Sequence, residues 1–242
     1  MGNSHPECAI NDTKTQNMFN LSQGGSAYFY DYLKLREIKK TNPQIDTLIL
    51  GYGYRDLHND MDSWFSGEEK FKYKIRSHFI LFRFEDYVAL FKSNPVKVLI
   101  NTPQTIYYNI ITALTGYHNL GGYIHSRRDK LKEDKAIVKR LNRLNSKKGY
   151  SKHQITYLLK IYQYCVNNNI QLVLLNTPIH PLERKHLKNL IPEYYRFAEE
   201  NLPKAHLIDH ANFELPESHY GDLEHLNYLG ANKYTAYLKS SY

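Results

Sequence analysis

Short apolar runs, set between stretches of helical periodicity, constrain the fold of this chain more than any other feature. Thr47-Leu48-Ile49-Leu50 and Ile170-Gln171-Leu172-Val173-Leu174-Leu175 are almost unbroken, and Ala205-His206-Leu207-Ile208-Asp209 is a third, more mixed run. A strand that is apolar at successive positions buries both of its faces, as strands of parallel sheets do. Helical segments separate these runs. Ala27 to Lys40 carries Phe29, Leu33, Leu35 and Ile38, and Ser151 is placed to cap a helix through Asn167 whose buried side holds Ile155, Leu158, Ile161 and Cys165. Pro181 to Asn201 reads as helical with a break near Pro192, and a last helix runs from about Asn227 to Lys239. Strands alternating with helices predict an α/β fold with a mainly parallel sheet covered on both sides.

The front half is less regular. Gln16 to Leu21 reads as a short strand ending at the pair Gly24-Gly25, and Lys70 to Phe91 as an aromatic-rich helix. Val96 to Ile100 has strand character, yet Pro103 followed by Ile106, Ile110, Ile111 and Leu114 reads as a helix start. We expect one domain over residues 1–242, with a helical insertion or cap at about 65–150.

Composition agrees with a single globular domain. A chain of 242 residues can bury roughly 70–75% of its unfolded surface, enough for one sizeable core. Its 22 tyrosines offer apolar faces with hydroxyl tips, which suit sugar stacking as well as the edge of a core. The net charge of +8 favours anionic partners. Much of it lies in residues 127–148, where ten Lys and Arg face three acidic residues and Leu131, Ile137, Val138, Leu141 and Leu144 recur at helical spacing. This predicts a basic amphipathic helix, and no nucleic-acid-binding motif accompanies it, so nucleic acid is not an expected partner. No run of 18 apolar residues is present, so no transmembrane segment is predicted. Cys8 and Cys165 permit one bridge at most, with a buried free thiol the default for Cys165. His206 and His210 lie on a predicted strand, where their spacing does not converge, and no metal or cofactor is expected.

The two ends carry the chemistry. Gly2-Asn3-Ser4-His5 opens the chain, and Asp222-Leu223-Glu224-His225-Leu226-Asn227 stands near its close. A serine hydroxyl attacks an acyl carbon only if a base takes its proton, and histidine is that base when a carboxylate fixes its tautomer. Asp222 and His225, three apart, can reach one point from a single turn.

These blocks resemble those of the SGNH (GDSL-like) hydrolases, in particular the bacterial branch of cell-envelope polysaccharide esterases and O-acetyltransferases. Gly2-Asn3-Ser4-His5 is similar to the first block, Asn20-Leu21-Ser22-Gln23-Gly24-Gly25-Ser26 to the second, and Asp222-x-x-His225-Leu226-Asn227-x-x-Gly230-Ala231 to the last. The resemblance implies a flavodoxin-like three-layer α/β/α fold and a catalytic set of Ser4, His225 and Asp222. It implies an oxyanion hole from the backbone N–H groups of Ser4 and Gly25, no cofactor, and an acylated small molecule or glycan as substrate. It also implies a place in the cell envelope. The third block departs from the family pattern. Gly53-Tyr54-Arg55-Asp56 puts Arg55 where an asparagine would donate to the oxyanion. Arg55 then has three readings: an oxyanion donor, a clamp for a substrate carboxylate, or a solvated side chain. The apolar first strand that precedes the serine in that family is largely missing, since only Met1-Gly2-Asn3 stands before Ser4. The expectation is that an upstream segment has been lost and that Ser4 is poorly held. A catalytically silent glycan-binding or assembly protein of the same fold is the alternative.

Overall fold

The computed structural model describes residues 1–116, 119–127, 130–131 and 149–241. Its centre is a three-stranded, all-parallel sheet of β1 (Thr47–Gly51), β2 (Gln171–Asn176) and β3 (His206–Asp209), in the order β1-β2-β3. Leu48 pairs with Leu172, Leu50 with Leu174, and Leu174 in turn with Leu207. The pleat sends alternate residues to opposite faces, which is why unbroken apolar runs were needed. Leu48, Leu50, Leu172 and Leu174 share one core with α2 (Tyr28–Thr41) and α7 (Lys152–Asn167). Val173, Leu175 and Ile208 share the other with α1 (Ser4–Ala9) and α10 (Tyr228–Ser241) through Ala9, Tyr234 and Leu238. Helices therefore cover both faces, as expected of the α/β class.

Local signals account for several boundaries. The Ser151 hydroxyl accepts from Gln154 N at 2.9 Å and caps α7. α8 (Pro181–Leu187) begins on a proline with the His180 ring as its cap, and the break before α9 (Ile191–Asn201) falls at residues 188–190. Between β1 and α7 lie α3 (Asp62–Ser66), α4 (Glu68–His78), α5 (Phe84–Ser93) and α6 (Pro95–Thr115). Phe65, Phe71, Ile75, Leu90 and Val98 from these helices join the same core as β1.

Two local expectations are corrected, and the open reading of Val96 to Ile100 is resolved. Residues 16–21 form no strand: Asn17 takes a left-handed φ of 60°, and Asn20 donates to the carbonyls of Pro6 and Ile10, fastening the segment to α1 instead of the sheet. Residues 70–91 are not one helix, because the chain turns at Phe79–Leu81 and α5 starts afresh. Val96 to Ile100 is helical: Asn94 Oδ1 accepts from Lys97 N, Pro95 fits the first turn, and this start outweighs the strand preference of the β-branched residues. The predicted basic helix at 127–148 lies outside the described residues, apart from Arg127, Lys130 and Leu131. Cys8 and Cys165 are both free and buried.

The N-terminal residues lie beside β1. The Met1 amine donates to Ile49 O at 2.7 Å, Gly51 N donates to Met1 O at 2.9 Å, and Gln23 N donates to Gly2 O at 2.9 Å. Met1 and Gly2 thus occupy a ladder position on the edge of β1. Contrary to expectation, Ser4 is held firmly.

Candidate active site

The loops that carry Ser4, Arg55 and His225 leave the carboxyl ends of the Met1-Gly2 stub, β1 and β3, the end at which parallel sheets gather ligands, whereas the Gly25 loop follows no strand. Ser4 starts α1. Asn3 caps that helix with its Oδ1 on His5 N, and its Nδ2 donates to Asp56 Oδ1 at 2.9 Å. Asp56 follows β1 and also accepts from Gly53 N at 2.7 Å. The serine is thereby tied to the loop after β1 by the residue just before it.

His225 comes from the loop between β3 and α10. Its Nε2 lies 2.7 Å from Ser4 Oγ, and its Nδ1 lies 2.9 Å and 3.0 Å from the two oxygens of Asp222. Asp222 Oδ1 also accepts from the backbone N–H groups of Glu224 and His225, so the loop curls around its own carboxylate. The rest of the last block secures this loop. Asn227 Oδ1 accepts from Leu229 N and Gly230 N, its Nδ2 donates to Ser218 O, and a side chain at Gly230 would strike His219 O at 2.3 Å. Ser4, His225 and Asp222 are brought into one hydrogen-bonded line.

Gly25 and Arg55 border the same cavity as Ser4, of about 440 Å³. Gly25 has φ of 64°, a conformation that suits glycine, and faces the Trp64 ring. Its loop is fastened by two fully buried lysines. Lys34 Nζ donates to Leu21 O at 2.6 Å, and Lys74 Nζ donates to Gln23 Oε1 and Gly24 O, each at 2.9 Å. Arg55 is held between two carboxylates, with its Nη1 on Glu224 Oε1 at 3.0 Å and its Nη2 on Asp60 Oδ2.

Three further residues, to which the sequence assigned no role, support the site. His5 stands beside His225 with ring centroids 5.2 Å apart; burial, then the facing His225, push its imidazole down to about 4. Burial pushes the Asp56 carboxyl up to about 7, against the hydrogen bonds from Gly53 and Asn3 that favour its ionised form. Gln154 spans the core to Tyr28 N and Asp56 O. Asp56 was readable, since it closes the third block; Gln154, on a distant helix, was not. His5, Glu224 and His225 place one ligand atom each within 4.8 Å of the others, so this set could hold a metal ion where none was expected.

A model of a protein family of unknown function matches residues 123–241, a span that includes Asp222 and His225 and begins after Ser4, Gly25 and Arg55. No curated protein and no solved structure matches the chain.

Proposed function

We propose that this protein is a serine-dependent acyl ester hydrolase or O-acyltransferase of the SGNH type, acting on O-acetyl groups of a glycan. One observation carries the reading: Ser4 Oγ sits 2.7 Å from His225 Nε2 while Asp222 holds the opposite ring nitrogen. Asp222 keeps the Nδ1 proton in place, so Nε2 presents its lone pair to the serine. Ser4 Oγ attacks the acyl carbon as its proton passes to His225 Nε2. The tetrahedral intermediate collapses, the ester C–O bond breaks, and the leaving sugar oxygen takes that proton. Water or a second sugar hydroxyl then attacks the acyl-serine with His225 again as base. The backbone N–H groups of Ser4 and Gly25, on the cavity wall, are the donors assigned to the oxyanion. A neutral His5 suits this cycle, because a second imidazolium beside His225 would oppose its protonation.

A second reading, a catalytically silent glycan-binding or assembly protein, is favoured by Arg55. Where an asparagine would supply an oxyanion donor, this side chain is engaged by Glu224 and Asp60. Treatment with a serine-directed fluorophosphonate and turnover of p-nitrophenyl acetate separate the two. Labelling that vanishes in Ser4→Ala supports the enzyme. A well-folded wild type that takes no label and turns over no ester overturns it in favour of the silent protein.

A further inference from the structure

α6 is built inside out. Its buried positions, Val98, Asn101, Thr105, Asn109 and Thr112, recur every three or four residues and are mostly polar. Some of their polar atoms are paired: Asn101 Nδ2 donates to Lys97 O, Asn109 Nδ2 to Thr105 O and to Arg76 O on α4, and Thr112 Oγ1 to Tyr108 O, whereas Thr105 Oγ1 and Asn109 Oδ1 are buried without a partner. The opposite arc is apolar and open to solvent. Leu99 is 62% exposed, Tyr107 70% and Leu114 80%, and Val96, Ile100 and Ile110 are exposed on the same helix. At 21 residues the helix is about 32 Å long, so this stripe is far larger than the scattered apolar side chains of an ordinary surface. Phe84 on the adjoining α5 is 83% exposed.

Charge identifies what this face meets. No Asp or Glu occurs between Asp86 and Asp129, while Lys97 on α6 and exposed Lys92 on the adjoining α5 fall in that interval. Exposed Lys72 lies on α4, the helix against which α6 packs. A second copy docked face to face would bring its own Lys72, Lys92 and Lys97 against these lysines and be repelled. An anionic bilayer would be attracted and would accept the apolar stripe. No helix among the described residues is long and apolar enough to cross a membrane, so α6 would lie along the surface.

We propose that the outward face of α6 is a membrane-docking surface that binds the interface of an anionic lipid bilayer, with α6 parallel to the membrane plane. This inference is independent of the reading of the Ser4 site. Lys72, Lys92 and Lys97 beside the stripe draw the protein to the headgroups, and Leu99, Ile110 and Leu114 enter the acyl boundary.

The test is co-sedimentation of the full chain with phosphatidylcholine vesicles, with and without phosphatidylglycerol. The protein is expected to pellet with the anionic vesicles and much less with the neutral ones, and high salt is expected to weaken binding. Leu99→Glu/Ile110→Glu, at solvent-exposed positions, is expected to lower anionic-vesicle affinity by about tenfold or more with an unchanged melting temperature. Lys92→Glu is expected to weaken binding with less effect. Failure of the wild type to pellet with anionic vesicles overturns the proposal, as does equal binding by the double variant. A concentration-dependent dimer in light scattering that the double variant abolishes would assign the face to a second copy instead, and would equally overturn it.

Discussion

Trp64 lies so close over Gly25 that a β-carbon built on this glycine would stand 1.7 Å from the indole Cζ3. With φ at 64°, Gly25 sits in a region that side chains rarely adopt. Gly25→Ala therefore faces both backbone strain and a clash, together about 2–4 kcal/mol of lost stability by urea unfolding. In a Trp64→Ala background the clash is gone, and the same substitution is expected to cost only about 1 kcal/mol. Equal costs in both backgrounds would show that Trp64 does not restrain the loop.

If Ser4, His225 and Asp222 act as one unit, Ser4→Ala and Asp222→Asn each lower kcat for p-nitrophenyl acetate by about 10⁴-fold or more. Asp222→Asn retains an oxygen for the Glu224 and His225 N–H groups, so its melting temperature is expected to stay close to that of the wild type. A loss of activity under tenfold in either variant would remove that residue from the catalytic set.

The buried pair of Lys34 and Asp31 lies under the loop that leads to Gly25, with Lys34 Nζ 3.0 Å from Asp31 Oδ1. Lys34→Met leaves the Asp31 carboxylate buried with Gly2 N as a weak partner at 3.2 Å. Removing one member of such a pair costs about 3–5 kcal/mol. Adding Asp31→Asn is expected to restore part of it, and chemical denaturation of the single and double variants measures both steps.

Asp56 and His5 pull the pH dependence of stability in opposite directions. The Asp56 carboxyl keeps its proton to about 7 when folded, against an ordinary 3.8, so between these values the unfolded chain has released a proton that the folded one retains. Stability then falls as pH rises through that window. His5 titrates near 4 when folded against an ordinary 6.5, so its contribution is lost as pH falls from 6.5 towards 4. Asp56→Asn removes only the first effect. The melting temperature of the wild type minus that of Asp56→Asn is expected to shrink as pH rises from about 4 to about 7. A difference that is flat or grows with pH would show that Asp56 is ionised throughout.

Elements whose signals are local were legible in the sequence. Ser151 caps α7 as its type and position indicate, and the apolar runs became β1 and β2, because each carries its own cap or its own pattern of burial. Val96 to Ile100 shows the limit of propensity. Three β-branched residues and a leucine look like a strand, but Asn94 and Pro95 immediately before them start a helix. The inverted face of α6 was not legible. A stripe of Ile, Leu and Val at helical spacing normally marks the buried side, and only packing against α4 reveals that the polar stripe faces inward.

The sequence by itself determined the α/β alternation and the local union of Asp222 with His225, since both depend on residues a few positions apart. Only the tertiary structure decided that Ser4 meets His225 across a separation of 221 residues. It alone showed that Met1 and Gly2 lodge on the edge of β1, that Arg55 is taken by Asp60 and Glu224, and that a half-buried His5 and a buried Asp56 lie beside the serine. Contact between distant side chains and the loss of water around them are set by how helices and sheet close on one another, and no local pattern of residue types encodes that closure.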